Sequence, residues 1–142
     1  MTMLLVNALG ALGQLMATNL LALDQSSRVS GYAVFKDGKL LDYGRLDVSS
    51  IIDFGERLTQ IRLMVNNLIE KYSINEIIFE DIQYQSNVQN NVQTFKALAE
   101  VYGVLYELFT ELNIKNQSVL ATVWKSKLGI KGKTRPEQKK NA

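Results

Sequence analysis

The sequence predicts a single α/β domain whose sheet is partly antiparallel and partly parallel. Short β-prone runs alternate with two long helical patterns, a hairpin signal joins two of the runs, and another run follows a helix directly. The chain has 142 residues, enough for one core of ordinary size and too few for two. With 46% hydrophobic and 21% charged residues and one proline, its composition is typical of a packed domain and excludes disordered and collagen-like classes.

The first three strands are expected to be antiparallel neighbours. An apolar run at 20–24 ends in an acid, and the polar stretch 25–28 separates it from a second run at 31–35. Asp37-Gly38 is the two-residue signal of a hairpin turn. Residues 40–48 are therefore predicted to return antiparallel to the second run.

Helical periodicity and a further apolar run supply the remaining elements. Apolar residues at steps of three or four predict helices over 54–72, capped by Asp53, and over 92–112. The run at 76–80 follows the first helix directly, so we expect it to pair parallel to the first strand. The rest of the pattern predicts a fifth strand at 118–121, a short helix at 122–128, and a last helix that starts at Pro136 and is cut off by the end of the chain.

The residue types missing from the sequence exclude several kinds of chemistry. It contains no cysteine and no histidine, so disulfides, Cys/His zinc sites, Ser-His-Asp triads and a histidine general base are all excluded. The groups that remain available for catalysis are carboxylates, lysines, hydroxyls and a metal ion held by oxygen ligands. The absence of cysteine fits a reducing compartment, and we expect a cytoplasmic protein.

Charge is distributed unevenly along the chain. Residues 125–142 carry seven basic side chains and one acidic one, a net charge of +6, whereas residues 1–124 sum to −4. Clustered lysines release counterions when they meet a polyanion, so this end is interpreted as a phosphate-binding segment or, alternatively, as a solvated terminus.

The amino end is uncharged and apolar as far as Leu23. We predict neither a signal peptide nor a membrane span there, because no basic residue precedes the apolar stretch and polar residues interrupt it. Met16 stands just before the first predicted strand and would be a natural start codon for the domain. Residues 1–19 are interpreted as an appendage outside the fold, and 20–142 as the domain.

Two acids end strands that are expected to be neighbours. Asp24 and Glu80 each close an apolar run, and ligands of α/β sheets bind beyond the carboxyl ends of parallel strands. Two carboxylates there suit Mg²⁺ or Mn²⁺, which prefer oxygen ligands. Asp81 should point to the other side of the pleat and is interpreted as a structural acid.

The same residues resemble the motifs of RuvC-type Holliday junction resolvases. Leu-Ala-Leu-Asp24-Gln-Ser-Ser, running into Gly31-Tyr-Ala, is similar to the first motif of that family. Ile-Ile-Phe-Glu80, followed by Gln83-Tyr84, is similar to the second. The basic stretch 124–140 resembles the family's basic loop and the opening of its last helix, so the resemblance covers residues 20–142 in order.

The resemblance implies a fold, a reaction and roles for individual residues. The fold would be RNase H-like, and a homodimer would hydrolyse phosphodiester bonds at four-way DNA junctions with two Mg²⁺ (or Mn²⁺) ions about 3.5–4 Å apart. Asp24 would bridge the metals, Glu80 would hold one, and Lys133 or Lys131 would lie near the scissile phosphate. Ser26 and Ser27 would shape the turn after the aspartate. The DNA contacts implied are Lys125, Lys127, Lys131, Lys133, Arg135, Gln83 and Tyr84, the last either stacking on an unpaired base or packing on the sheet.

The sequence departs from that family at its carboxyl end. The family's last helix continues to a further acidic pair that completes the metal site, whereas this sequence stops at Ala142. We therefore expect a C-terminally truncated resolvase with its last helix missing. Two alternatives stay open: a catalytically incomplete module that binds branched DNA, and an actin-like nucleotide-binding module. The last ranks lowest because no glycine-rich phosphate loop follows Asp24.

Overall fold

A mixed five-stranded sheet with two helices forms the part of the chain that the structure, a computed structural model, describes: residues 18–82 and 91–120. In chain order the elements are β1 (Asn19–Asp24), β2 (Val29–Lys36), β3 (Lys39–Asp47), α1 (Phe54–Lys71), β4 (Glu76–Glu80), α2 (Asn91–Glu111) and β5 (Lys115–Val119). The strands lie in the order β3-β2-β1-β4-β5. β2 is antiparallel to both β1 and β3, and β4 is parallel to both β1 and β5, so the predicted mixed α/β sheet is confirmed.

The hairpin between β2 and β3 turns at the two predicted residues. Asp37 and Gly38 have φ angles of 51° and 81°. A two-residue hairpin of the type that matches strand twist needs positive φ at both positions, which aspartate tolerates and glycine adopts freely. A register shift between Val34 and Phe35 marks an irregularity in the same strand pair.

Helix α1 begins and ends close to the predicted positions. Asp53 is the N-cap, and its side chain accepts a hydrogen bond from the Glu56 backbone N–H at 3.0 Å. At the other end, the Tyr72 hydroxyl donates to Asp42 on β3 at 2.5 Å, and the Tyr32 hydroxyl donates to the same oxygen at 3.3 Å. The bond from Tyr72 connects the edge strand β3 to the end of the helix, and the bond from Tyr32 connects β3 to β2. The hydrogen bond from Tyr72 is the main cause that lowers the pKa of Asp42.

The hydrophobic core lies between one face of the sheet and the two helices. Phe79 of β4 is 1% exposed; its ring stacks on Tyr102 at a centroid distance of 5.0 Å and meets Phe109 edge-on at 5.2 Å. On the surface, Arg62 of α1 forms ion pairs with two glutamates of α2, Glu107 and Glu111. Apolar residues that alternate with the core-facing ones are buried as well: Leu20, Ala22, Ala33, Phe35 and Ile78.

Strand β5 was predicted at the wrong place. It spans Lys115–Val119, three residues before the predicted start of 118–121. Its sequence, Lys-Asn-Gln-Ser-Val, has no apolar alternation. The strand forms through backbone pairing with β4 at the sheet edge, from Glu76↔Lys115 to Glu80↔Val119, and such pairing leaves no hydrophobic signal.

The fold begins before residue 20, so the predicted domain boundary is slightly late. Asn19 is the first residue of β1, and Thr18 is buried at 8% exposure. The Thr18 hydroxyl and the Asn19 backbone N–H both donate to the Asn75 side-chain oxygen. The rest of the predicted appendage, the helix predicted at 122–128 and the one predicted from Pro136 lie outside the described residues. Neither helix of the described ranges is long and apolar enough to cross a membrane.

Candidate metal and nucleic-acid site

The two candidate carboxylates lie at the ends of neighbouring parallel strands. The β1–β4 register pairs Leu23 with Phe79, which makes Asp24 and Glu80 the next pair along the two strands. Paired residues share a face of the sheet, and adjacent strands lie about 4.8 Å apart. Both residues are half-buried. The predicted juxtaposition of Asp24 and Glu80 at one edge of the sheet is therefore present.

The basic residue Arg45 lies on the same face of the sheet, two strands from Asp24. Asp24 pairs with Gly31 of β2, and Gly31 pairs with Arg45 of β3, so the three residues form one cross-strand row. Gly31 has no side chain to fill the space between the other two. Arg45 is exposed. Two hydrogen bonds from Ser49 lower the pKa of Asp47, and the positive charge of Arg45 lowers this pKa further. Arg45 could not be identified from the sequence, because the row is visible only from the register of the strands.

The turn after Asp24 is held by serine side chains. The Ser30 hydroxyl accepts a hydrogen bond from the Ser26 backbone N–H at 3.0 Å and donates to the Ser26 carbonyl at 3.1 Å. The Ser26 hydroxyl accepts from the Arg28 backbone N–H at 3.3 Å. Ser26 therefore shapes the turn, as expected.

Gln25 connects the two strand ends directly. Its side-chain N–H₂ donates to the Glu80 carbonyl at 2.5 Å, and its side-chain oxygen accepts from the Glu80 backbone N–H at 3.0 Å. Gln25 is only 6% exposed. Sequence reasoning missed this contact, and the only local signal was a polar residue directly after a buried strand.

Asp81 has contacts that fit its expected structural role. Its backbone N–H donates to the Val119 carbonyl at 2.9 Å, which extends the pairing of β4 with β5. Its carboxylate accepts a hydrogen bond from the Ile82 backbone N–H at 2.8 Å.

The donor set at the two strand ends fits a hard divalent cation. Asp24 and Glu80 offer carboxylate oxygens, the ligands that Mg²⁺ prefers, and Mg²⁺ is commonly bound through one or two carboxylates with water filling other positions. Within residues 18–82 and 91–120, no group of three or more acidic side chains that could hold a metal is found. Asp24 and Glu80 are thus the two candidate carboxylates that the ends of β1 and β4 bring together.

The other predicted site residues lie outside the described part of the chain. These are Gln83, Tyr84, Lys125, Lys127, Lys131, Lys133 and Arg135. Their proposed roles remain predictions from the sequence.

Comparison with known families identifies the group to which these motifs belong. The sequence model of crossover junction endodeoxyribonuclease RuvC matches residues 20–138. The chain belongs to the RuvC family. The matched range contains Asp24, Glu80 and the basic segment as far as residue 138.

Relatives and solved structures agree with that membership. Crossover junction endodeoxyribonuclease RuvC of Geotalea uraniireducens (strain Rf4) is 32% identical over 110 residues, which cover 70% of this chain and 64% of the relative. The chain thus spans just under two thirds of the length of that RuvC. A structure of Thermus thermophilus RuvC in complex with a Holliday junction substrate matches with a TM-score of 0.63 and 15% identity, over 84% of this chain and 83% of that one. The fold is the RNase H-like fold of that family.

An actin-like protein shares the architecture. A structure from Bacteroides thetaiotaomicron with an actin-like ATPase fold matches with a TM-score of 0.53 and 9% identity, over 80% of this chain and 37% of that one. Identity at this level indicates a common fold alone. The RuvC family match therefore separates the resolvase from the actin-like interpretation, whereas the fold by itself does not.

Proposed function

We propose that this protein is a structure-selective endonuclease that hydrolyses phosphodiester bonds at four-way DNA junctions. The observation that carries the proposal is the RuvC match over residues 20–138 together with Asp24 and Glu80 at adjacent parallel strand ends. A carboxylate pair at that edge of an α/β sheet is where a ligand is expected.

The reaction would depend on divalent metal, generally Mg²⁺ in this family. Asp24 and Glu80 would hold the ions, which supply activation of the attacking water and stabilisation of the leaving oxygen when they are bound. Lys133 or Lys131 would lie near the scissile phosphate. Lys125, Lys127 and Arg135 would neutralise neighbouring phosphates, with Gln83 and Tyr84 close to the junction centre.

Arg45 extends the proposed DNA surface into the described part of the chain. It lies in the same cross-strand row as Asp24, on the same face and with no side chain between them at Gly31. Arginine makes bidentate contacts with phosphate oxygens, and its exposure at the edge of the sheet suits a duplex arm that runs past β3.

The active form is proposed to be a homodimer that pairs through α2. The helix packs one face on the sheet, with Val101, Leu105 and Leu108 almost fully buried. Its opposite face has a stripe of apolar or small residues, Val92, Ala99, Gly103 and Tyr106, which the exposed Lys96 interrupts; Val92 and Tyr106 are 62% and 50% exposed. A second copy would cover the stripe, and two-fold symmetry matches a junction with two equivalent cleavage sites.

We also propose a cytoplasmic location, where such an enzyme meets its DNA.

A gel assay tests the proposal with the full chain. A synthetic four-way junction and a matched duplex are incubated with the protein in EDTA and in Mn²⁺, beside Asp24→Asn and the control Asp81→Asn. We expect metal-dependent cleavage of the junction alone, lost in Asp24→Asn and kept in Asp81→Asn. Junction binding in EDTA without cleavage in Mn²⁺ would favour the alternative of a non-cleaving junction binder. If the protein neither binds nor cleaves the junction, the proposal is contradicted.

A further inference from the structure

We infer that Gln25 is a positioning residue that holds the backbone of Glu80 beside Asp24 and so sets the geometry of the metal site. The inference rests on the proposed function, because it assigns the residue a role toward the metal that Asp24 and Glu80 would share. It concerns a contact between the two motifs that the sequence of neither motif reveals.

The contact is reciprocal and involves one residue on each strand. The Gln25 amide nitrogen lies 2.5 Å from the Glu80 carbonyl oxygen, and the Glu80 backbone nitrogen lies 3.0 Å from the Gln25 amide oxygen. The N–H and the C=O of Glu80 flank its Cα. Fixing both peptide groups restricts φ and ψ of Glu80, and therefore the direction in which its carboxylate leaves the backbone.

The chemistry of the side chain explains why a glutamine suits this position. A primary amide carries an acceptor oxygen and two donor N–H bonds, so it can pair with a backbone N–H and C=O as a peptide unit does. The regular β1–β4 ladder reaches Leu23↔Phe79, and the Gln25 side chain supplies pairing for the next residue of β4 after β1 has ended. Glutamate at this position would lack the donor, and methionine would lack both groups.

Burial makes the contact stronger than an exposed hydrogen bond of the same length. Gln25 is 6% exposed, so water competes little for its amide. Partners that orient a metal ligand without touching the metal typically change metal affinity about 10–100-fold when they are removed. Gln25 would be such a partner of Glu80, because it holds the Glu80 backbone by two hydrogen bonds.

The opposite end of the same two strands offers a matched control. The side-chain oxygen of Asn75, just before β4, accepts from the Asn19 backbone N–H at 3.0 Å and from the Thr18 hydroxyl. This is also an amide side chain that connects the β1 and β4 segments. It lies at the amino end of both strands, away from Asp24 and Glu80.

The test compares Gln25→Met with Asn75→Leu in the full chain without DNA. Mn²⁺ affinity is measured by titration, and exchange of the Glu80 amide hydrogen is followed by NMR. We expect Gln25→Met to weaken Mn²⁺ binding about 10–100-fold and to speed exchange of the Glu80 amide, whereas Asn75→Leu leaves both near wild type. Gln25→Asn, which keeps the amide but is one methylene too short to reach both groups, should change them in the same direction and serves if Gln25→Met does not fold.

The outcomes separate this inference from the proposed function. If Gln25→Met binds Mn²⁺ as tightly as Asn75→Leu does, or if its Glu80 amide exchanges at the wild-type rate, the role of Gln25 is overturned. If Asp24→Asn leaves Mn²⁺ affinity unchanged, the proposed metal site itself fails, whatever Gln25→Met does.

Discussion

Replacing Phe79 by alanine should destabilise the domain severely, because this ring joins β4 to α2. Phe79 is 1% exposed and contacts the rings of Tyr102 and Phe109 at 5.0 and 5.2 Å. Burial of such a side chain contributes about 1.5–3 kcal/mol, and each aromatic pair adds about 0.5–1.5 kcal/mol. Together these contributions amount to about 2.5–6 kcal/mol, and we expect a loss in the free energy of unfolding of about 3–5 kcal/mol, the range typical of buried Phe→Ala changes.

Urea unfolding followed by far-UV circular dichroism measures this loss. Phe79→Leu keeps most of the apolar volume but loses both ring contacts, so we expect it to cost about 1–2 kcal/mol. Tyr43→Ala, at a ring that is 55% exposed on the edge strand, is the control and should cost less than about 1 kcal/mol. A loss for Phe79→Ala no larger than that for Tyr43→Ala would refute the assigned packing.

Three further substitutions test separate parts of the structure. The hydrogen bond from Tyr72 lowers the pKa of Asp42 in the folded protein, so the stability that this group contributes is present above about pH 4 and lost as the pH falls through the folded pKa. Asp42→Asn should therefore flatten the acid side of a plot of unfolding midpoint against pH, and an unaltered acid limb would contradict the network. Arg45→Gln should weaken junction binding and reduce the slope of log affinity against log salt by about 1 in fluorescence anisotropy, whereas an unchanged slope would exclude a phosphate contact. A Cβ atom added at Gly103 would point into open space, with no atom of another element within 4 Å, so Gly103→Arg should fold normally. We expect it to sediment as a monomer and the wild type to sediment as a dimer. A dimeric Gly103→Arg would place the interface elsewhere.

Features that depend on one or two neighbouring residues were predictable from the sequence. The hairpin at Asp37-Gly38 follows from the φ angles that these residues tolerate, and the start of α1 follows from the capping side chain of Asp53. The bounds of β4 were predicted as observed, because an apolar run between acids marks a buried strand. Strand β5 was misplaced because an edge strand can form through backbone pairing without an apolar pattern.

The candidate site likewise contains residues that were predictable from the sequence and residues that were not. Asp24 and Glu80 were predictable, since each acid ends a recognisable apolar run and the two strands were expected to be parallel. Gln25 was not, because its partner Glu80 is 55 residues away and the contact is to backbone, which leaves no residue pattern to detect. Arg45 joins the same face only through two successive strand registers. Contacts of this kind require the folded chain.

The most direct test of the central claim asks whether Asp24 and Glu80 share one metal. Mn²⁺ affinity is measured for the wild type, Asp24→Asn, Glu80→Gln and the double variant, with Asp81→Asn as the control. We predict that each single change weakens binding at least tenfold, that the double variant is scarcely weaker than the weaker single variant, and that Asp81→Asn binds like the wild type. Losses that add independently in the double variant, or no loss in either single variant, would contradict a metal site shared by the two strand ends.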